Sequence, residues 1–226
     1  MLFTAAAFSL IGMTTASPLL PSSSNFPPRD TGKAFNIVVN VTNLSRDFAP
    51  SVHGAFLTAL HREPSKNYIG VGDGASGPIF FINGTDAEAA KGTTRMLADL
   101  GVPGIPFSTQ LEDVNGQFVN QIAELNAGPD GEYITVSSDE PASVINLSSP
   151  GLCRENINGQ EYAVLHRFLV GNDHERIPKE CVPVNLIPQC AEQIDSPEDH
   201  HLFAREVKCY NDVGSIDWPK YDAFRL

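Results

Sequence analysis

The chain has 226 residues and carries 15 basic against 27 acidic side chains, which gives a formal net charge of −12 at pH 7. So acidic a protein is repelled by nucleic acids and by anionic membrane surfaces, and we expect neither as a partner. Hydrophobic residues make up 42% of the chain, which is enough for a true core, and the length suits a single all-β domain. After the N-terminal region, the sequence contains no apolar run long enough to span a bilayer.

The N-terminus has the features of a secretory signal peptide. Residues 2–11 form an apolar run, and the small residues Thr14 and Ala16 suit positions −3 and −1 of a cleavage site. We therefore predict a signal peptide over residues 1–16. Residues 17–33 are rich in proline and serine, which predicts a disordered tail. A single β-rich secreted domain over residues 34–226 completes the predicted organisation.

Four N-glycosylation sequons support export. Each has serine or threonine two residues after the asparagine and no proline between them; the asparagines are Asn40, Asn43, Asn83 and Asn146. A glycan requires its asparagine to face solvent, so we expect all four positions at the surface. Asn40 and Asn43 are close enough together that one glycan can exclude the other.

The second half of the chain holds all four cysteines, Cys153, Cys181, Cys190 and Cys209. An even number in a secreted chain predicts two disulfides with three conceivable connectivities. Their spacing lacks the paired C-x-x-C of a zinc or redox site. Pro183 and Pro188 stiffen the segment between Cys181 and Cys190, so we favour Cys153 paired with one of these two cysteines and Cys209 with the other.

Period-two alternation predicts most of the strands. The clearest is residues 35–42, where Phe35, Ile37, Val39 and Val41 share one face and Asn40 lies on the other. Tyr162, Val164, His166 and Phe168 alternate in the same way within a predicted strand over residues 162–170. Further strands are predicted at residues 55–61, 78–83, 107–111, 118–125 and 133–137.

Two segments are less regular. Residues 86–100 combine helix signals with a Gly-Thr-Thr interruption, so we predict a short helical turn followed by a strand. Residues 182–186 contain Pro183, which predicts an edge strand or an irregular segment. The spacing of strands with little helix between them favours an antiparallel β-sandwich or barrel-like single domain, mainly β, with two disulfides.

Three motifs match catalytic or binding signatures in spelling but lack the required context. Residues 72–77 spell G-x-G-x-x-G, yet a strand follows where a dinucleotide site needs a helix. Residues 30–32 spell the aspartic-protease triplet, but they follow prolines and have no second copy. Residues 195–201 combine acids with His200 and His201, and a solvated acidic loop is the better interpretation of them than a metal site.

Individual acids and histidines also fail to form a recognisable catalytic set. His166 lies on the apolar face of its strand, which indicates a core or interface histidine rather than a base. The neighbouring acids Glu112 and Asp113, like Asp139 and Glu140, splay apart on an extended chain, whereas glycosidase carboxylates flank a bond about 5–9 Å apart. We therefore predict no catalytic residue, no cofactor and no metal.

The C-terminal region holds the only tryptophan, Trp218, close to Cys209 and Tyr210. A buried aromatic anchor that pins the end of the chain over the core, with Cys209 as a staple, is the favoured interpretation. An exposed aromatic platform for a sugar is the alternative.

Three stretches of the sequence are distinctive when taken together: residues 35–42, the Pro50-Ser51-Val52 that follows, and Cys209-Tyr210 with Ile216-Asp217-Trp218 and Tyr221. They resemble a family of secreted fungal proteins of unknown function. Some members of that family are labelled IgE-binding protein. The resemblance implies an extracellular, mainly β protein with two disulfides, and it implies no catalytic residues.

The leading hypothesis is therefore a secreted fungal N-glycoprotein, expected to be a monomer, that acts by surface recognition of an extracellular protein or polysaccharide in the cell wall, the matrix or a host. The alternative is a small secreted hydrolase that cleaves glycans with carboxylates assembled by the fold. Two facing carboxylates in a concave pocket favour the hydrolase.

Overall fold

A computed structural model of the chain describes residues 26–73, 77–102, 104–137, 144–169, 177–192 and 201–221. The predicted signal peptide lies outside the described residues, as does the tail up to residue 25. None of the helices in the described ranges has the length and apolarity needed to cross a membrane.

Strands dominate the described chain, with one short helix, α1 (Asp86–Ala90), and 3-10 turns at Leu44–Arg46, Val213–Ser215 and Trp218–Lys220. The strands are β1 (Asp30–Gly32), β2 (Ala34–Val41), β3 (Leu57–Glu63), β4 (Lys66–Val71), β5 (Ile79–Asn83), β6 (Arg95–Asp99), β7 (Phe107–Val114), β8 (Gln117–Ala127), β9 (Val136–Ser137), β10 (Val144–Ile145), β11 (Pro150–Ile157), β12 (Gln160–Phe168), β13 (Val182–Ala191), β14 (Ala204–Arg205) and β15 (Val207–Cys209).

The main sheet is antiparallel and closes on itself. Its strands follow the order β11-β13-β2-β5-β6-β7-β8-β12, and β12 pairs again with β11 from Gln160 to Arg167. The β3–β4 hairpin enters where β8 and β12 separate, because β4 pairs with β8 through Lys66–Tyr68 and with β12 through Gly70 and Val71. The single domain is thus mainly β and barrel-like, with little helix, as the sequence predicts.

Alternation along β2 separates two apolar surfaces. Phe35, Ile37, Val39 and Val41 face the large core inside the sheet, because every second side chain of a strand points to the same face. Val38 faces outward, where it joins a smaller cluster with Ile187, Tyr210 and Val213, packed in turn against Trp218. Trp218 therefore packs the C-terminal segment against the outside of β2 and β13, as predicted, but its side chain is partly rather than fully buried.

Both predicted disulfides are present. Cys153 pairs with Cys181 and Cys190 pairs with Cys209, which is one of the arrangements that the sequence favours. The predicted helical turn and strand within residues 86–100 are also present as α1 and β6. Thr85 caps α1 in a reciprocal capping box with Glu88, which satisfies the first free N–H groups of the helix.

The structure differs from the predicted disordered tail at Asp30–Gly32. These residues form β1, which pairs antiparallel with β15, Gly32 opposite Val207 and Asp30 opposite Cys209. No local periodicity marks so short a strand, and its hydrogen-bond partners lie far away in the sequence. Ordered structure therefore begins before residue 34.

The structure also differs from the prediction for residues 182–186, which belong to the central strand β13 rather than to an edge. Pro183 lies just beyond the last β2–β13 pair, Val41 with Val184, so the N–H that proline lacks would fall at the end of the ladder. The Pro183 carbonyl still accepts a hydrogen bond from the Thr42 N–H at 3.0 Å. Proline is tolerated in this central strand because of where it stands in the register.

Candidate functional site

Two adjoining clefts lie between β3, the β11–β12 hairpin and the loop before β3. Each has a volume of about 370 Å³, and both are lined by Gly72, Asp73, Gln160 and Tyr162. We call the pair the Tyr162 groove. Its β3 side adds Thr58, His61 and Asn158, and its other side adds Phe48, Arg154 and Glu161.

A tight hairpin turn places the residues at the centre of the groove. Asn158 and Gly159 join β11 to β12 with φ angles of 53° and 88°, which is the left-handed geometry favoured by Asn-Gly in two-residue hairpins. Gln160 follows at the exposed start of β12. Tyr162, two residues on along the same face, packs against the cluster of Leu60, Ile157 and Val164.

Arg154 stacks on an aromatic ring at the other side of the groove. Its guanidinium carbon lies 4.6 Å from the centroid of the Phe48 ring, a cation–π geometry. The same guanidinium pairs with Glu161 and donates to the carbonyl of Ala49 at 3.3 Å. Arg154 and Glu161 thus neutralise each other at the groove wall.

Asp47 fixes the loop that carries Phe48. Its carboxylate accepts hydrogen bonds from the Phe48 N–H at 2.8 Å, from the Val52 N–H at 3.1 Å and from the Ser51 hydroxyl at 2.5 Å. Burial by itself would raise the pKa of Asp47, but the hydrogen bonds from Ser51 and the two amides outweigh it and lower the pKa. This side of the groove is therefore preorganised.

A separate group of charged residues joins β3, β7 and β8. Arg62 Nη1 lies 2.8 Å from Glu112 Oε2 and 2.7 Å from Glu124 Oε1. The Glu124 side chain is 2% exposed. The guanidinium also lies over the ring of Tyr68, 4.7 Å from its centroid. We call Arg62, Tyr68, Glu112 and Glu124 the Arg62 cluster.

The pKa values of the two carboxyl groups of this cluster are shifted in opposite directions. Burial and the hydrogen bond with Glu112 raise the pKa of Glu124, whereas the hydrogen bonds with Glu124 and Arg62 lower the pKa of Glu112. Such a split is typical of carboxyl groups that share a proton. The pair is hydrogen-bonded, however, whereas glycosidase carboxylates stand about 5–9 Å apart around a bond. Neither glutamate lines the Tyr162 groove.

His166 is buried in β12, as its apolar face predicts. It is 1% exposed, and its Nδ1 lies 2.8 Å from Asn120 Oδ1, within hydrogen-bond distance. Nε2 lies 3.3 Å from Glu155 Oε1. Burial lowers the pKa of His166 to about 4 and raises that of Glu155. Because its ring is buried and its pKa is lowered, His166 is a neutral histidine with a structural role.

The four sequons occupy different environments. Asn43 and Asn146 are exposed and Asn83 is partly buried, but Asn40 is only 6% exposed. The structure thus differs from the expectation that all four asparagines face solvent. Asn40 does lie opposite the inner core face, as predicted, but that outer face of β2 is itself covered.

The structure describes only part of the motifs that match catalytic or binding signatures in spelling. The triplet at residues 30–32 forms β1, and residues 74–76 of the glycine-rich motif lie outside the described residues, as do Asp139 and Glu140. Of the acidic stretch at 195–201, His201 alone is described, and its Nε2 lies 2.7 Å from Asp99 Oδ2. The described residues contain no group of three or more side chains suited to a metal ion.

Comparison with known proteins places the chain in a family. The model of a domain of unknown function, DUF7907, matches residues 32–190. The chain belongs to the DUF7907 family. The matched range contains the whole Tyr162 groove and the Arg62 cluster, whereas Cys209 and Trp218 lie beyond it.

One relative of this DUF7907 protein is the "Antigenic protein SchS34" of Stachybotrys chartarum. It is 34% identical over 209 residues, which cover 87% of this chain and 94% of the relative. No solved structure matches the chain significantly. The resemblance to a fungal family of uncharacterised proteins is confirmed, and antigenic proteins belong to it; the IgE-binding label stays a prediction.

Sequence reasoning missed the residues of the Tyr162 groove. An available signal was the Asn158-Gly159 pair, which predicts a two-residue hairpin and hence the strand β11 before it. No pattern along the chain indicates that Phe48 meets Arg154, because these residues belong to segments that only the closed sheet brings together.

Proposed function

We propose that this DUF7907 protein is a secreted N-glycoprotein that acts by binding an extracellular protein or polysaccharide. The observation that carries the proposal is the Tyr162 groove, a concave surface with aromatic walls and a few polar groups in fixed positions, which is typical of binding sites. Among its described residues, the groove lining contains two acids, Asp73 and Glu161, but Glu161 is paired with Arg154. The carboxyl pair with shifted pKa values lies elsewhere, under Arg62. Binding therefore accounts for the groove better than hydrolysis does.

The covalent framework supports the extracellular part of the proposal. Two disulfides close the C-terminal half of the chain, and structural disulfides persist in oxidising compartments. The relative's name, an antigenic protein, fits a protein exposed to the surroundings of the organism.

The environments of the sequons refine the glycoprotein part. We expect glycans on Asn43 and Asn146, because both side chains are exposed. We expect none on Asn40, because this residue is buried in the folded protein, with 6% exposure. Asn83 lies between these extremes.

Expression of the full chain in a filamentous fungal host tests export and glycosylation. We expect the protein in the medium, a new N-terminus after Ala16, and glycopeptides at Asn43 and Asn146 with an unmodified Asn40. Peptide mass spectrometry after enzymatic deglycosylation in heavy-oxygen water reads all three results. A chain retained inside the cell with free thiols would overturn this part of the proposal.

Depletion from solution tests the binding activity. The secreted protein is mixed with insoluble cell-wall polysaccharides and, separately, with purified matrix proteins, and the unbound fraction is measured. We expect saturable depletion by one class and no release of reducing sugars. Release of reducing sugars without saturable retention would favour the hydrolase alternative.

A further inference from the structure

We propose that the Tyr162 groove binds an uncharged oligosaccharide. This inference rests on the proposed binding function and names the class of its ligand. It follows from the aromatic surfaces of the groove, from the polar groups beside them and from the balance of charged side chains in the lining.

The aromatic residues present the surfaces that sugar rings use. Tyr162 lines both clefts and so lies where they join, and Phe48 lines one of them. Both are partly exposed, but the Arg154 guanidinium already stacks on the Phe48 ring, so Tyr162 is the main stacking surface in this proposal. A pyranose has one face of C–H groups, which packs on an aromatic ring by the same dispersion and weak electrostatic attraction that aromatic pairs use.

The polar residues suit a ligand made of hydroxyl groups. Gln160 and Asn158 each offer an amide that both donates and accepts, and Asp73 offers a carboxylate acceptor. Each sugar hydroxyl donates once and accepts twice, so neighbouring hydroxyls match such planar groups. These residues line the cleft on the β3 side of Tyr162, next to the aromatic surface rather than far from it.

The charges argue against an anionic ligand. Arg154 is the guanidinium in the lining, and Glu161 already neutralises it. Asp73 adds a further negative charge to both clefts, and the whole chain carries a net charge of −12. Among the described residues of the lining, His61 and the paired Arg154 are the basic side chains. A uronic-acid polymer or a sulfated glycan would therefore meet repulsion from Asp73 without an unpaired lysine or arginine to bind it.

An extended peptide is the competing ligand. The strand β3 is the last strand in the order of the main sheet, and its residues Thr58, Ala59 and Leu60 line the groove. A peptide that paired with β3 as a further strand would therefore lie in the groove. The mixture of aromatic rings and amides favours the saccharide, and the experiment below measures both ligands.

The chain supplies a closely matched pair of variants. Gln160 and Gln117 each begin a strand directly after an Asn-Gly turn, and both are exposed. Gln160 lines the groove, whereas Gln117 does not appear in its lining. Gln160→Ala therefore removes a groove amide, and Gln117→Ala makes the same change in the same local structure elsewhere.

The test is titration of the isotope-labelled full domain, followed by NMR. The ligands are uncharged hexasaccharides of glucose, xylose, mannose and N-acetylglucosamine, a hexagalacturonate, and an extended decapeptide of alternating polar and apolar residues. We expect at least one uncharged hexasaccharide to bind with shifts at Asn158, Gln160 and Tyr162. We expect Tyr162→Ala to weaken binding about tenfold or more and Gln160→Ala about fivefold, with Tyr162→Phe and Gln117→Ala unchanged.

Each other outcome overturns the inference in a distinct way. Binding of the decapeptide alone would assign the groove to a peptide, and binding of the hexagalacturonate alone would overturn the argument from charge. Equal weakening by Gln117→Ala and Gln160→Ala would place the ligand outside the groove. If none of these probes binds while cell-wall material or a matrix protein still depletes the protein, the ligand class fails and the binding function stands.

Discussion

Burial decides the chemistry of His166. An exposed histidine carries a proton below a pKa of about 6.5, but the pKa of His166 is lowered to about 4 because its ring is enclosed between β8, β11 and β12. Asn120 is hydrogen-bonded to one ring nitrogen, and Glu155 lies beside the other. A single buried residue thus makes the stability of the whole domain depend on pH.

The sign of this dependence follows from where the proton binds. Above pH 6.5 His166 is neutral in both the folded and the unfolded chain and has no effect on pH dependence. Between pH 6.5 and about 4 the unfolded chain binds a proton that the folded chain excludes. The free energy of unfolding therefore decreases as the pH is lowered through this range. When the pH is lowered from 7.5 to 4.5, we expect the free energy of unfolding of the native protein to decrease by about 2 kcal/mol more than that of His166→Gln.

Urea unfolding of both proteins at the two pH values measures this difference. The comparison cancels most of the effect of Glu155, whose raised pKa acts in the opposite direction by stabilising the folded chain as the pH falls. Equal losses in the native protein and in His166→Gln would show that the ring is protonated without cost.

Sequence and structure agree on these side chains up to a definite point. Alternation alone places His166 with Val164 and Phe168 on one face, and Asn40 opposite Val39 and Val41, because the strand period is local. Alternation says nothing of what covers a face. The burial of Asn40 and His166 depends on residues that come from elsewhere in the chain, such as Asn120 and Glu155 beside His166.

Hairpins are the elements that local chemistry specifies best. The turns Asn115-Gly116 and Asn158-Gly159 both have positive φ at both residues. The second sets the register of β11 with β12 along the whole ladder, whereas a register shift between Asp113 and Val114 separates the first from the rest of the β7–β8 ladder. The pairing of β4 with both β8 and β12 has no such local signal. It depends on how two strands of the closed sheet diverge.

Replacing Arg62 tests how much the contacts between strands β3, β7 and β8 contribute to stability. It holds Glu112 of β7 and the buried Glu124 of β8 against β3. Arg62→Met would remove the guanidinium that these two carboxyl groups share, so we expect about 2–3 kcal/mol lower stability at pH 7. Part of the loss should be regained near pH 4.5, because acids with raised folded pKa values favour the folded chain when protonated.

Two further variants control this prediction. Arg154→Met also breaks an arginine–glutamate pair, but that pair is largely exposed, so we expect a loss below about 1 kcal/mol without recovery in acid. Arg62→Met combined with Glu124→Gln should recover stability at pH 7. Chemical denaturation at both pH values measures all of them, and a loss in Arg62→Met that is independent of pH would contradict the role of the carboxyl pair.

At the scale of the whole molecule, two disulfides hold different parts of the fold. Cys153–Cys181 ties β11 to the start of β13 within the family's matched range, whereas Cys190–Cys209 ties β13 to the C-terminal segment beyond it. The second bridge stands next to Tyr210, whose ring meets Trp218 edge to face at 5.6 Å.

Removing each bridge should therefore have the same energetic cost and a different local effect. The pairs are separated by 28 and 19 residues, so loop entropy predicts a loss of about 3 kcal/mol in either case. We expect a red shift of Trp218 fluorescence only when Cys190 and Cys209 are both replaced by serine. Calorimetry and emission spectra of the two double variants measure this, and a matching shift in the Cys153 and Cys181 variant would contradict it.

The sequence by itself determined the class of this DUF7907 protein: a mainly β domain with two disulfides. Those properties depend on strand periodicity and on cysteine number and spacing, which are visible along the chain. Only the tertiary structure decided where Phe48 meets Arg154, which acids share Arg62 and which sequon is buried. Such contacts join residues distant in sequence, and they exist only once the closed sheet has brought its strands together.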